Sequence, residues 1–426
     1  MASFRFLHAA DIHLDSPLRG LAGQEGSAAE RIRGATREAF EQLITLALAE
    51  EVAFVIIAGD LYDGDWRDYR TGLFFAAQMG RLNEAGIPVF LLHGNHDAES
   101  QITRRLSLPP NVRVFGARAP GTFTLDDLDV ALHGQSFRRR DTRENLVPGY
   151  PDPLDCDLNI GVLHTGLGGM GGHENYAPCA LEDLLARGYD YWALGHVHQF
   201  QVLHEHPHVV FPGNLQGRHI RETGPRGAVL VTVTDGRLSG LTAVPVDVVR
   251  WSLVPVPVDA DTDIADAVSR IRAALEQAVD READGRLLAC RVELQGRSAR
   301  HDQLLAAEDH LLAEARSVAV GLGVDAAWVE RLVVGPRAEG SEGPGSPVRG
   351  DALGELQQML EAAHADAELL ERLGEDPGQM LQRLPHAVRA GVEADSILRI
   401  ALDGDQRALI AAVLPHLLAR LTVETD

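Results

Sequence analysis

The chain contains no lysine; all 39 of its Lys+Arg positions are arginine. Cysteine is scarce, with Cys156, Cys179 and Cys290 widely spaced and forming no CxxC pair. That argues against both a disulfide framework and a thiolate zinc site. No apolar run approaches the roughly 18 residues of a membrane-spanning helix. The first residues also lack the charged-then-apolar order of a secretory signal. These absences lead us to expect a cytoplasmic protein with no membrane partner. The formal net charge of −23 disfavours tight autonomous binding to a polyanion, because phosphate neutralisation dominates such affinity. Screening confines each charge to about 8–10 Å, so a local basic patch can coexist with an acidic whole, and a basic partner could assist. What is present is ordinary for a globular chain: 45% hydrophobic residues over 426 positions, enough for two or three domains.

Five apolar, β-branched-rich runs stand out at 4–8, 52–58, 89–92, 160–163 and 191–194. Between the early ones, residues 28–50 and 68–85 carry apolar positions at three- and four-residue spacing, and Gly86-Ile87-Pro88 closes the second helix. Alternating strand and helix predicts an α/β fold with a largely parallel, buried sheet. Short strands at 229–234 and 238–246 should complete a two-sheet core flanked by helices. A β-α-β-α-β pattern follows, with strands near 252–258, 287–294 and 328–334. The expected domains are a core at 1–250, a small α+β cap at 251–335, a Gly/Pro/Ser-rich linker at 336–350 and a helical region at 351–426. Leu384-Pro385 and Leu414-Pro415 should interrupt or kink helices there.

Each of the five runs is followed at once by metal-competent side chains. They are Asp11 and His13, then Asp60, then Asn95 and His96, then His164, then His196 and His198. Sites in open α/β sheets form outside the carboxyl ends of the strands, so five strand ends would deliver oxygen and nitrogen ligands to one crevice. In extended backbone, the two-residue spacing of Asp11/His13 and of His196/His198 puts each pair on one face. Gly59, Gly94 and Gly195 suit crowded backbone beside ions. Two ions need a shared anion, and Asp60 is the natural bridge. Asp11, His13, Asp60 and His198 could then hold one ion and Asp60, Asn95, His164 and His196 the other. Imidazole, carboxylate and amide without thiolate favour manganese, iron or zinc, and paired metals suit phosphoester hydrolysis.

Asp11-Ile-His13, Gly59-Asp60, Gly94-Asn95-His96-Asp97, His164 and Gly195-His196-Val197-His198 resemble the five signature blocks of the calcineurin-like metallophosphoesterases. The opening from Phe6 to Pro17 is similar to the SbcD-like DNA repair exonuclease branch. The run Pro212-Gly-Asn-Leu-Gln-Gly-Arg-His-Ile-Arg-Glu-Thr-Gly224 resembles the bacterial YhaO-like group within it. The motifs cover about residues 4–250. The resemblance implies a two-sheet metallophosphoesterase sandwich, the two ligand sets above, and a pair of Mn2+ ions. It also implies His96 as the group that protonates the leaving 3′-oxygen or orients phosphate, with Asp97 fixing its imidazole. Asp63 stands where several relatives carry a histidine that contacts nucleic acid, and Asp15 where many carry glycine.

Arg138, Arg139 and Arg140 read as a phosphate-tracking loop or an ordinary exposed one. Arg218 and Arg221 read as substrate contacts, or else as partners of Glu222. His173, after a glycine-rich turn, could line the crevice. Ile410, Val413, Leu414, Leu417 and Leu421 form an apolar stripe, explained by an internal helix-helix core or by a partner. The resemblance implies docking there on an SMC-like coiled-coil ATPase, and leaves room for a homodimer. The leading expectation is an Mn-dependent phosphodiesterase or exonuclease acting on DNA in repair. The alternatives are a phosphoesterase for nucleotides or other small phosphate esters, and a structural subunit tethering the ATPase.

Overall fold

The structure is a computed structural model that describes residues 2–16, 27–63, 69–98, 107–169, 175–323, 325–335, 381 and 397–423. His173, the 336–350 linker and the Leu384-Pro385 step lie outside the described residues. The described residues up to 251 form one compact unit, and those from 252 onward form a second.

The first unit runs β1 (Phe4–Ala9), α1 (Ser27–Ala49), β2 (Phe54–Ala58), α2 (Tyr69–Glu84), β3 (Val89–Leu92) and β4 (Val112–Val114). It continues through β5 (Gly121–Leu125), β6 (Val130–Gly134), β7 (Leu158–His164), β8 (Tyr191–Gly195), β9 (Gln201–Glu205) and β10 (His208–Phe211), and ends on β11 (Gly227–Thr234) and β12 (Arg237–Pro245). Two six-stranded sheets result, in the orders β12-β11-β1-β2-β3-β4 and β5-β6-β7-β8-β10-β9. Strands β1 to β4 pair in parallel, as do β6, β7, β8 and β10. Antiparallel pairing involves β11 and β12 at one edge of the first sheet and β5 and β9 at the two edges of the second.

Period-two alternation divides each central strand between two cores. Phe6, Phe54, Ile56 and Phe90 of the first sheet meet Leu132, Ile160, Val162 and Tyr191 of the second. Leu7, Val55, Ile57 and Leu91 face the other way, onto Phe40, Leu43 and Ile44 of α1 and Phe75 and Met79 of α2. Strands buried on both faces read as continuous apolar runs, which is why these are visible in the sequence. Between the sheets Phe6 stacks on Phe54 at 4.7 Å and meets Tyr191 edge-on at 5.6 Å; each such pair contributes about 0.5–1.5 kcal/mol beyond area burial.

In the second unit, β13 (Val249–Val258), β14 (Leu287–Gly296) and β15 (Ala327–Val334) form a three-stranded sheet in that order. It packs on helices at Ile264–Ala278 and Glu308–Leu322 through Val256, Ile271, Leu275, Cys290, Leu311 and Val329. The chain's last described elements are helices at Ile397–Asp403 and Gln406–Val423. The expected interruption at Leu414-Pro415 is absent, since the last helix runs through that step. Of the stripe, Val413 and Leu417 are about two-fifths exposed, as are Ile397 and Leu398 on the preceding helix. No helix among the described residues is long and apolar enough to cross a membrane.

Candidate metal centre

Loops after β1, β2, β3, β7 and β8 meet at one edge of the sandwich. Backbone hydrogen bonds tie them together: Asp11 N–H to Gly59 C=O at 3.0 Å, His13 N–H to Asp60 C=O at 3.0 Å, and Thr165 N–H to Gly195 C=O at 3.0 Å. Asp11 and His13 are not in extended backbone, as their spacing had suggested. Their φ values are 51° and 47°, Asp60 has 52° and His196 has 105°. Left-handed conformations at non-glycine residues cost about 1–3 kcal/mol each and gather where function requires them. The shared direction of Asp11 and His13 therefore comes from turns locked onto the neighbouring loop.

Three groups of ligand atoms each lie within 4.8 Å of one another: Asp11, His13 and His198; Asp60, His164 and His196; and His13, Asp60 and His96. The first two fall within the two sets expected from the sequence. Asn95 joins the second, its Oδ1 lying 3.0 Å from His164 Nε2, while Asp60 Oδ2 lies 3.4 Å from the same nitrogen. His164 Nδ1 donates to the Ala58 carbonyl at 2.9 Å, which leaves the Nε2 lone pair facing those oxygens. A carbon added at Gly195 would overlap the Ala58 carbonyl and press on His164 Nδ1 at 2.8 Å; one at Gly94 would collide with Asp60. Only glycine at these positions admits the His164 imidazole and the Asp60 carboxylate to one crevice.

The first set has the same character. His13 Nε2 and His198 Nε2 stand 3.3 Å apart, and Asp11 Oδ1 is 3.8 Å from His198. Asp11 Oδ1 and His13 Nδ1 are buried without a hydrogen-bond partner, a costly state unless something further pairs with them. Electron-rich atoms that converge while lacking donors fit divalent cations. The crowded carboxylates and imidazoles also perturb one another. Burial, reinforced by Asp60 and eased by His164, pushes the Asp11 carboxyl up to about 7. Burial alone would lower His164, but the Asp60 carboxylate outweighs it and raises the imidazole to about 9.

The ring of His96 does not rest on Asp97, contrary to expectation. The Asp97 carboxylate instead accepts from the backbone N–H groups of Leu61 (3.0 Å), Tyr62 (2.8 Å) and Gly94 (3.1 Å), pinning the β2 and β3 loops to each other. The imidazole of His96 is held by Asp63, Nδ1 to Oδ1 at 2.9 Å. Burial opposes its charge, yet Asp63 and Asp60 raise its pKa above the usual histidine value. Asp63 therefore turns inward, and Ser16 Oγ also donates to it at 2.7 Å. The other unexpected acid, Asp15, is neutralised by Arg37 and accepts a hydrogen bond from Thr71.

Glu222 is the residue whose role the sequence did not reveal. Its Oε1 lies 2.7 Å from His198 Nδ1, giving that histidine a carboxylate partner of the kind that orients metal-binding imidazoles. Arg218 lies against Glu222 rather than in open solvent, and Arg221 is exposed. Arg138, Arg139 and Arg140 are exposed on the loop that leaves Phe137. The Phe137 ring meets His164 edge-on at 5.6 Å, and Arg140 is near enough to oppose the charge on His96.

Residues 4–200 match the calcineurin-like phosphoesterase family, and residues 251–335 match the middle domain of the metallophosphoesterase YhaO. The chain is 40% identical over 243 residues to the uncharacterized metallophosphoesterase YhaO of Bacillus subtilis (strain 168), covering 56% of this chain and 60% of that one. It is 27% identical over 212 residues to the DNA double-strand break repair protein Mre11 of Methanopyrus kandleri, covering 46% and 44%. Over 208 residues it is 25% identical to the protein of the same name from Sulfurisphaera tokodaii, covering 47% and 51%. The match thus spans between 44% and 60% of the length of these relatives.

Proposed function

We propose that this chain, which carries a calcineurin-like metallophosphoesterase domain, is a manganese-dependent phosphodiesterase that cleaves DNA backbone bonds in repair. The place of the Asp60 carboxylate, grouped with His13 on one side and with His164 and His196 on the other, supports the reading. A bound pair of Mn2+ ions would supply Lewis-acid activation of water and neutralise charge on the phosphodiester. Asp11, His13, Asp60 and His198 would hold one ion, and Asp60, Asn95, His164 and His196 the other. The chain's own residues then position and protonate. His96, its Nδ1 engaged by Asp63, delivers the Nε2 proton to the departing oxygen, and Asp97 keeps its loop in place. Arg138, Arg139, Arg140 and Arg221 contact flanking phosphates. The relatives named for DNA double-strand break repair support DNA as the substrate.

The net charge of −23 favours assistance from a partner. We assign that role to an SMC-like coiled-coil ATPase docking on the exposed apolar residues Ile397, Leu398, Val413 and Leu417. A homodimer is a further assembly we propose. We place the protein in the cytoplasm, in keeping with three free cysteines. The same charge favours a second reading, hydrolysis of nucleotides or other small phosphate esters. A purely structural tether is the weakest reading, because every expected ligand is present.

The test compares Mn2+-stimulated cleavage of linear duplex and hairpin DNA with that of cyclic nucleotides and bis-p-nitrophenyl phosphate. DNA cleavage that falls about 10²–10⁴-fold in His96→Ala supports the leading reading. Hydrolysis of the small esters alone would establish the second, and wild-type rates in His96→Ala would remove the acid role.

A further inference from the structure

Arg218 stands where a substrate contact is expected, yet its side chain is 14% exposed and its guanidinium has carboxylates on two sides. We infer that Arg218 and Glu222 are positioning residues: a clamp that holds His198 and Asp63, and through Asp63 the acid His96, in one fixed arrangement. The inference rests on the two-metal reading above.

Glu222 has both oxygens occupied. Its Oε2 accepts from Asn214 Nδ2 at 3.0 Å and from the Arg218 backbone N–H at 2.7 Å. Its Oε1 takes His198 Nδ1 at 2.7 Å and Arg218 Nη2 at 3.3 Å. An ionised carboxylate only accepts, so His198 Nδ1 must be the donor and Nε2 presents its lone pair toward Asp11 and His13. Any rotation of Glu222 that released His198 would also break its bonds to Asn214 and Arg218. On its other side Arg218 Nη1 lies 3.4 Å from Ser16 Oγ and 3.9 Å from Asp63 Oδ2. Ser16 donates to that same Oδ2, and Asp63 Oδ1 holds His96 at 2.9 Å. One planar guanidinium therefore spans the two carboxylates that orient a proposed metal ligand and the proposed acid.

This juxtaposition explains the run from Pro212 to Gly224, which supplies Asn214, Arg218 and Glu222 to a single cluster. It also explains why arginine is needed there. A lysine ammonium is a point charge that lacks the fork required to reach both sides. A phosphate bound at Arg218 would have to compete with two carboxylates already in place.

The experiment uses the full chain and three variants, Glu222→Gln, Arg218→Met and Arg218→Lys. Mn2+ binding is followed by electron paramagnetic resonance, folding by thermal melting, and turnover with bis-p-nitrophenyl phosphate. Glu222→Gln should weaken one of two Mn2+ sites about 10–100-fold and leave the other unchanged. Arg218→Met should weaken the same site about tenfold and lower kcat with KM nearly constant, and Arg218→Lys should fail to restore kcat. If Arg218→Met does not melt cooperatively, Arg218→Lys carries the comparison by itself. Unaltered Mn2+ binding in the Arg218 variants, with a raised KM and intact kcat, would show a substrate contact and overturn the clamp. Wild-type protein that binds no Mn2+ would instead overturn the two-metal reading, and the clamp with it.

Discussion

His8 on β1 and His164 at the end of β7 both lack exposed surface, and their surroundings send them in opposite directions. His164 has the Asp60 carboxylate beside it and is raised to about 9. His8 bonds to the Tyr191 hydroxyl and the Leu194 carbonyl, and burial lowers it to about 3 despite the carbonyl. The folded protein thus keeps His8 neutral at pH values where the unfolded chain protonates it. Its contribution to stability is complete above the unfolded value of 6.5 and is lost as pH falls from there toward 3, by about 1.4 kcal/mol per pH unit. Urea unfolding between about pH 6.5 and 4.5 should show this slope, and His8→Gln should remove about one proton's worth of it. An unchanged slope in the variant would contradict the assignment. The proposed metal ligands were legible because each directly follows a strand end. Glu222 and Asp63 were not, because only the fold brings Glu222 across 24 residues to His198 and Asp63 to His96.

Among the elements, the parallel strands were readable from runs such as Phe-Val-Ile-Ile-Ala in β2, buried at every position. Of the edge strands, β12 was anticipated at 238–246, but β4 and β5 were not. Residues of β4 and β5 are only half-buried or exposed, so neither strand carries a continuous apolar run. The apolar run at 52–58 began earlier than the observed β2 at Phe54, since Val52 and Ala53 belong to the turn leaving α1. Where β8 meets β2, the sandwich leaves no room for a side chain at Gly195. Gly195→Ala should therefore destabilise the first unit by about 1–3 kcal/mol, displace His164 and weaken Mn2+ binding. Chemical denaturation and metal titration check both effects, and a variant that matches wild type in both would show that the crevice yields easily.

At the scale of the whole molecule, net charge and site chemistry pull apart. The chain carries −23, yet an exposed triplet, Arg138 to Arg140, extends from the loop whose Phe137 touches His164. If that loop tracks a DNA backbone, replacing all three arginines with glutamine should weaken binding at low salt. The log–log salt slope should become shallower by about 0.9 for each phosphate that is no longer neutralised. Fluorescence anisotropy of a labelled duplex over a salt series measures this. An unaltered slope would return the loop to an ordinary solvated surface. The proposed chemistry as a whole depends on oxygen and nitrogen groups from five strand ends sharing a pair of cations. Anomalous diffraction at the manganese edge, from crystals of the protein soaked in Mn2+, tests it most directly. Two peaks should flank Asp60 in the wild type, and at least one should vanish in Asp60→Asn. A map without peaks at Asp60, or with both peaks retained in the variant, would contradict the shared-carboxylate centre.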